Sequence, residues 1–181
     1  MVSTRDRRLP VGAETLPSGD THFRVWAPRC RNVQVILEGT SSESLPSDET
    51  FDLIPDEHGY FSAVIGSVQP GTLYRYRLDG QAELCPDPAS HFQPQGPHGP
   101  SEVIDPRSYG WTDGDWPGVS LEGQILYEMH IGTFTPEGTW ASAAKMLPDL
   151  AALGITVLAV MPVAEFPGAF GWGYAGVNCY A

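Results

Sequence analysis

The sequence predicts a chain in two parts: an antiparallel β-sandwich, then the opening of a parallel sheet made of strand–helix–strand units. Two observations predict this. From Thr21 to Leu84 short runs alternate apolar with polar residues, and a turn signal recurs about every ten residues, as in sandwiches. From Leu121 to Ala181 the period becomes helical, between two runs rich in β-formers.

Each element of the first part follows from its alternation. His22–Pro28 sets Phe23 and Val25 on one face and Arg24 and Trp26 on the other. Asn32–Glu38 gathers Val33, Val35 and Leu37, and Thr72–Gly80 sets Tyr74, Tyr76 and Leu78 opposite Arg75 and Arg77. Thr50–Gly66 reads as two strands around an Asp-Glu-His-Gly turn at Asp56–Gly59. The acidic, serine-rich stretch Thr40–Thr50 is expected to be a solvated loop. A proline-rich segment, Cys85–Pro106, then leads through Trp111, Trp116 and Pro117 to the second part.

There, Gln124–Ile131 reads as a strand and Gly132–Gly138 as a turn-rich loop. Trp140, Ala143, Ala144, Leu147, Leu150 and Ala151 recur at helical spacing, and Gly154 stands where a helix stops. Pro148 falls inside that pattern and should kink or break it, at a local cost of about 3 kcal/mol. Ile155–Val163 is a nearly unbroken apolar run, suited to a parallel strand covered on both faces. Strand, crossover helix and parallel strand form a βαβ unit, which needs a larger sheet around it.

Composition narrows the partners. A net charge of −12 disfavours nucleic acid, whose affinity rests on cationic contacts. No apolar run approaches the roughly 18 residues of a membrane helix, so no membrane partner is expected. The first twelve residues hold three arginines and no apolar stretch, so no secretory signal is expected. Cys30, Cys85 and Cys179 are sparse and odd in number, which fits free thiols in a reducing cytoplasm. They and His91 or His98 lack zinc-like spacing, so no metal site is expected.

Two longer motifs carry a resemblance. Ile-Leu-Tyr-Glu-Met-His-Ile-Gly-Thr-Phe-Thr from Ile125, Met-Pro-Val-Ala-Glu-Phe-Pro-Gly from Met161 and Gly-Trp-Gly-Tyr from Gly171 resemble the start of the catalytic barrel of the α-amylase family, glycoside hydrolase family 13. Gly12-Ala13-Glu14, Phe-Arg-Val-Trp-Ala-Pro from Phe23 and Val-Gln-Val-Ile-Leu from Val33 resemble the sandwich module that precedes it, of the carbohydrate-binding module family 48 type. Pro-Asp-Pro-Ala-Ser, Phe-Gln-Pro and His-Gly-Pro-Ser in the proline-rich segment point to the maltooligosyltrehalose trehalohydrolase branch.

The resemblance implies an immunoglobulin-like sandwich over residues 1–106, a linker over 107–122 and the first β/α units of a TIM (β/α)8 barrel over 123–181. It implies an α-glucan as partner, with maltooligosyltrehalose cut at the α-1,4 bond next to its trehalose unit, and neither metal nor organic cofactor. The family's nucleophile, acid/base and stabilising carboxylates follow later barrel strands. An eight-stranded barrel takes about 250 residues, so an N-terminal portion without catalytic residues is expected here. An uncovered barrel strand also invites self-association.

The candidate sites rest on the same comparison. Tyr174 is implied to stack on a sugar, with a packed loop aromatic as the alternative. Trp172 is the second candidate for substrate contact, with packing as its alternative. Glu128 and Glu165 look like a carboxylate pair but read as structural, and so does His130. Trp26 is either a sugar platform or a packing residue. Ala175 stands where the branch usually carries Asp. Three readings stay open: part of a trehalohydrolase, part of a branching or debranching enzyme, or a glucan-binding module. The proline-rich motifs argue against the second, and the apolar strand of Leu121–Ala181 argues against the third.

Overall fold

The computed structural model describes residues 7–40, 44–66 and 68–181, with backbone alone for 44–48. The chain divides into two compact units. One holds the chain up to Tyr109 with two short arms, Ala164–Pro167 and Val177–Ala181. The other holds Gly110–Val163 and Gly168–Gly176.

The first unit is built from β1 (Gly12–Thr15), β2 (Thr21–Trp26), β3 (Val33–Thr40), β4 (Ser44–Asp52), β5 (Ile54–Pro55), β6 (Tyr60–Ile65), β7 (Thr72–Leu78), β8 (Leu84–Cys85) and β9 (Ser101–Glu102). One sheet runs β1-β2-β6-β5 and the other β4-β3-β7-β8, with β9 also on β7. Every pair is antiparallel. Alternation decides which side chains meet: Phe23, Val25, Phe61 and Ile65 from one sheet form a buried core with Val33, Val35, Leu37, Tyr74 and Tyr76 from the other. Phe23 meets Tyr74 edge-on at a centroid distance of 5.0 Å.

The solvated loop expected over Thr40–Thr50 is corrected from Ser44 onward, while 41–43 lie outside the described residues. β4 pairs with β3, Val35 facing Phe51 and Leu37 facing Glu49. It is the outer strand of its sheet. An edge strand bonds on one side only and tolerates charge that a central strand would not, which is why its polar sequence concealed it.

A polar layer lies beside this core. Arg7, itself buried, donates to the carbonyls of Leu9 (2.6 Å), Gly12 (2.6 Å) and His22 (2.8 Å). Burial, reinforced by Arg7 and Arg24, lowers the His22 imidazole to about 4. The unfolded chain therefore binds a proton that the folded chain refuses between its ordinary value of 6.5 and about 4. This contribution is complete above the upper value and is lost as pH falls towards the lower one, up to about 3 kcal/mol. Asp87 is pushed the other way, upward by burial, and its effect weakens the fold as pH rises through the raised value. Comparison with His22→Gln isolates the histidine. Urea unfolding across this window should show the native chain losing more stability on acidification than the variant. Parallel curves would remove His22 from the account.

The second unit contains β10 (Leu126–Met129), a single turn α1 (Ile131–Phe134), α2 (Trp140–Lys145), α3 (Leu147–Leu153) and β11 (Val157–Val160). β10 and β11 pair in parallel, Leu126 facing Val157 and Met129 facing Val160. Both strands are shorter than expected, and Ile131–Phe134 is helical where the end of a strand and the start of a loop were expected. Thr139 caps α2 in a capping box with Ser142. The helix breaks at Met146, and α3 starts with Pro148 in its first turn. The proline has no N–H to continue the ladder, so of the expected kink or break it is a break that forms. Gly154 ends α3 in the left-handed region at φ 99°. β11 is half-exposed and β10 is exposed apart from Met129. Two strands and two short helices offer too little surface to bury both sides of a sheet.

Candidate functional site

Parallel strands in β/α folds put their chemistry at their C-terminal ends, where the loops gather. Here those ends are held together by Met161 N–H, which donates to the Met129 carbonyl at 2.9 Å. His130 follows β10 directly. Its own carbonyl accepts from Thr133 N–H (3.1 Å) and Phe134 N–H (2.9 Å), so its backbone is fixed as the first residue of a helical turn. Its ring Nε2 lies 2.7 Å from the Gly171 carbonyl oxygen. A carbonyl only accepts, so Nε2 carries the proton.

Gly171 opens the Gly-Trp-Gly-Tyr motif. Two residues later Gly173 is buried at φ 85°, and a Cβ there would overlap the Pro162 carbonyl just beyond β11. Trp172 lies between these two attachments and lines a cleft with His130, Thr133 and Met161. Trp172 is nevertheless 78% exposed, and Tyr174 is 72% exposed. These two have fixed backbone neighbours and faces open to solvent, an arrangement that can stack on the C–H face of a pyranose. Ala175 beside them is exposed and brings no carboxylate.

The two apparent catalytic carboxylates are not brought together by any described interaction. Glu128 is exposed on β10, in the second unit. Glu165 lies in an arm of the first, where its backbone bridges Asn178 and accepts from Val177 N–H at 2.9 Å. Its backbone thus closes the base of a loop. Among the described residues no group of three His, Cys, Asp or Glu could hold a metal ion. Cys30, Cys85 and Cys179 are unpaired. Among the described residues no helix is long and apolar enough to cross a membrane.

In the sandwich, Trp26 is 59% exposed and its indole N–H donates to the His58 carbonyl at 3.2 Å. It lines a mostly apolar cleft with Val11, Val25, Pro88, Ala89 and Tyr180, all of the first unit. Tyr180 supplies an aromatic neighbour in this lining.

Sequence reasoning missed two features. The attachment of His130 to Gly171 spans 41 residues, and only the glycines on either side of Trp172 hinted at a backbone pressed against something. The buried carboxylate of Asp87 accepts from the hydroxyls of Tyr74 (2.8 Å) and Tyr76 (3.2 Å) and from Ala89 N–H (2.8 Å). It thereby secures the proline-rich segment to β7. Nothing in the local pattern marks an aspartate as buried.

Comparison with known proteins agrees with this architecture. Over 177 residues the chain is 42% identical to a malto-oligosyltrehalose trehalohydrolase of Deinococcus radiodurans, covering 97% of this chain and 28% of that protein. A protein of the same name from Saccharolobus solfataricus is 41% identical, with 88% of this chain and 27% of that protein covered. The crystal structure of a Salmonella typhimurium protein named as an alpha amylase superimposes with a TM-score of 0.85 at 42% identity, over 96% of this chain and 28% of that one. The chain thus spans little more than a quarter of the length of these relatives. Residues 10–106, the sandwich itself, match the family model described as carbohydrate-binding module 48 (isoamylase N-terminal domain). The chain belongs to the carbohydrate-binding module 48 family.

Proposed function

We propose that this chain is the N-terminal portion of a glycoside hydrolase of the α-amylase family, and that its substrate is maltooligosyltrehalose. The reaction would cut the α-1,4 bond next to the trehalose unit and release trehalose. The observation that carries this reading is the 42% identity to a trehalohydrolase across 97% of the chain. In this reading β10, α1–α3 and β11 open a (β/α)8 barrel, and the loop of Trp172 and Tyr174 contributes sugar contacts at the barrel's C-terminal face. Exposed aromatics held by their backbone at the ends of parallel strands support it. The retaining pair of carboxylates, about 5–5.5 Å apart, would come from later strands, and neither Glu128 nor Glu165 acts as acid or nucleophile.

Two measurements test this. The 181-residue chain incubated with maltooligosyltrehalose should release no trehalose. Release that disappears in Glu128→Gln or Glu165→Gln would overturn the reading. Joined to the remainder of the Deinococcus radiodurans relative, the chain should complete an enzyme that does release trehalose. There Tyr174→Ala should lower kcat/KM about tenfold, roughly 1.4 kcal/mol, the scale of one lost aromatic contact. An unchanged kcat/KM would take Tyr174 out of the site.

A further inference from the structure

We propose that His130 is a positioning residue: its Nε2–H holds the Gly171 carbonyl and so sets Trp172 and Tyr174 for sugar contact. The sugar contact rests on the reading above, whereas the hold on the loop does not. Residues 168–176 contain four glycines, at 168, 171, 173 and 176, and no helix or strand. Glycine gives such a loop more backbone freedom to lose than any other residue. Two attachments limit that freedom, one on each side of Trp172. On one side the imidazole of His130, just past the end of β10, meets Gly171 O at 2.7 Å. On the other, Gly173 is pressed against the Pro162 carbonyl just past the end of β11.

The imidazole is itself held. Its residue caps α1 through its carbonyl, and its Nδ1 faces Thr133 Oγ1 at 3.5 Å, beyond a good hydrogen bond. A Cβ on Gly132 would come within 3.0 Å of the ring's Cε1, so glycine there leaves the ring the place it takes. The tie to Gly171 is therefore its one short polar contact among those described. It restrains the very residue that precedes Trp172, which is 78% exposed. A ligand meeting a pre-ordered ring does not lose affinity to ordering it, so the histidine acts through the loop without touching the sugar.

The test replaces the donor and leaves the fold. Glutamine at position 130 can place its amide nitrogen where Nε2 sits, whereas asparagine reaches only the place of Nδ1. The full chain is labelled with fluorotryptophan and read by fluorine NMR, the Trp172 resonance being the one lost in Trp172→Phe. In the native chain and in His130→Gln it should stand apart from its position in concentrated urea. In His130→Ala and His130→Asn it should move towards that position, while the other tryptophan resonances stay where they are. An unmoved Trp172 resonance in His130→Ala would overturn the proposal, and so would equal effects of Gln and Asn. Titration with maltotetraose, followed on the same resonance, should be about tenfold weaker in His130→Ala and restored in His130→Gln, the scale of one hydrogen bond. If maltotetraose moves Trp172 in none of these proteins while the Ala, Asn and Gln pattern holds, the positioning role stands and the sugar contact falls.

Discussion

Replacing Asp87 by alanine should cost the sandwich about 3–5 kcal/mol, a large fraction of the 5–15 kcal/mol that holds an ordinary domain together. The carboxylate is completely buried and burial raises its pKa. It is kept there by three donors, the hydroxyls of Tyr74 and Tyr76 and the amide of Ala89. Both tyrosines are themselves core residues at about 1% exposure. Without Asp87 their hydroxyls would stay in the interior lacking that acceptor, and each such loss costs about 1–3 kcal/mol. The rest of the network runs through the backbone N–H of residue 87, which alanine keeps. The Asp87 amide donates to Ser101 Oγ, Ser101 Oγ donates to Gln93, and Gln93 donates to the carbonyls of Gly96 and Gly99. Asp87→Asn should cost less, about 1–2 kcal/mol, because the amide keeps one acceptor and a tyrosine hydroxyl can turn to receive its N–H. Urea unfolding of both variants checks this. A loss under about 1 kcal/mol for the alanine variant would mean that the network relaxes or fills with water.

The contrast between Asp87 and the strands shows what a sequence discloses. Phe23, Val25, Val33, Val35, Tyr74 and Tyr76 all fell where alternation put them, because a strand with one face in a core must repeat every second residue. Pro148 and Gly154 were equally legible, since each acts through its own backbone. β4 was not. It is the outer strand of its sheet, and such a strand tolerates the charge that hid it. Arg7 and Asp87 were invisible for a different reason: a charged side chain is buried only where distant partners meet it, and no local period reports them. The candidate site divides in the same way. Its aromatics were legible from their motif. The His130 tie and the contact of Gly173 with Pro162 depend on strand ends that only the fold brings near the loop.

The second large effect is expected from the second unit. Leu126 is 59% exposed on β10 and Trp140 is 57% exposed on α2. Ile125, Leu147, Leu153 and Val163 are also open to water. Of the helical stripe expected to face the sheet, only Ala143 is buried. β10 and β11 have only each other as partners among the described residues, so the outer edge of each presents backbone groups that another chain can pair with. A two-stranded sheet is marginal alone, and apolar area of this kind gains about 25 cal/mol for each Å² removed from water. The 181-residue chain should therefore self-associate, its mass rising with concentration above the monomer's 19.6 kDa. A shorter chain ending at Pro106 should behave differently. Every residue of the sandwich core, up to Val103, precedes that point, so it should remain monomeric and melt cooperatively. Size-exclusion chromatography with light scattering on both chains decides it. Leu126→Lys in the longer chain should reduce the association, since a charge on an exposed strand opposes pairing. A longer chain that stays monomeric at every concentration, with amides 157–160 resistant to hydrogen exchange, would show that β10 and β11 need no partner.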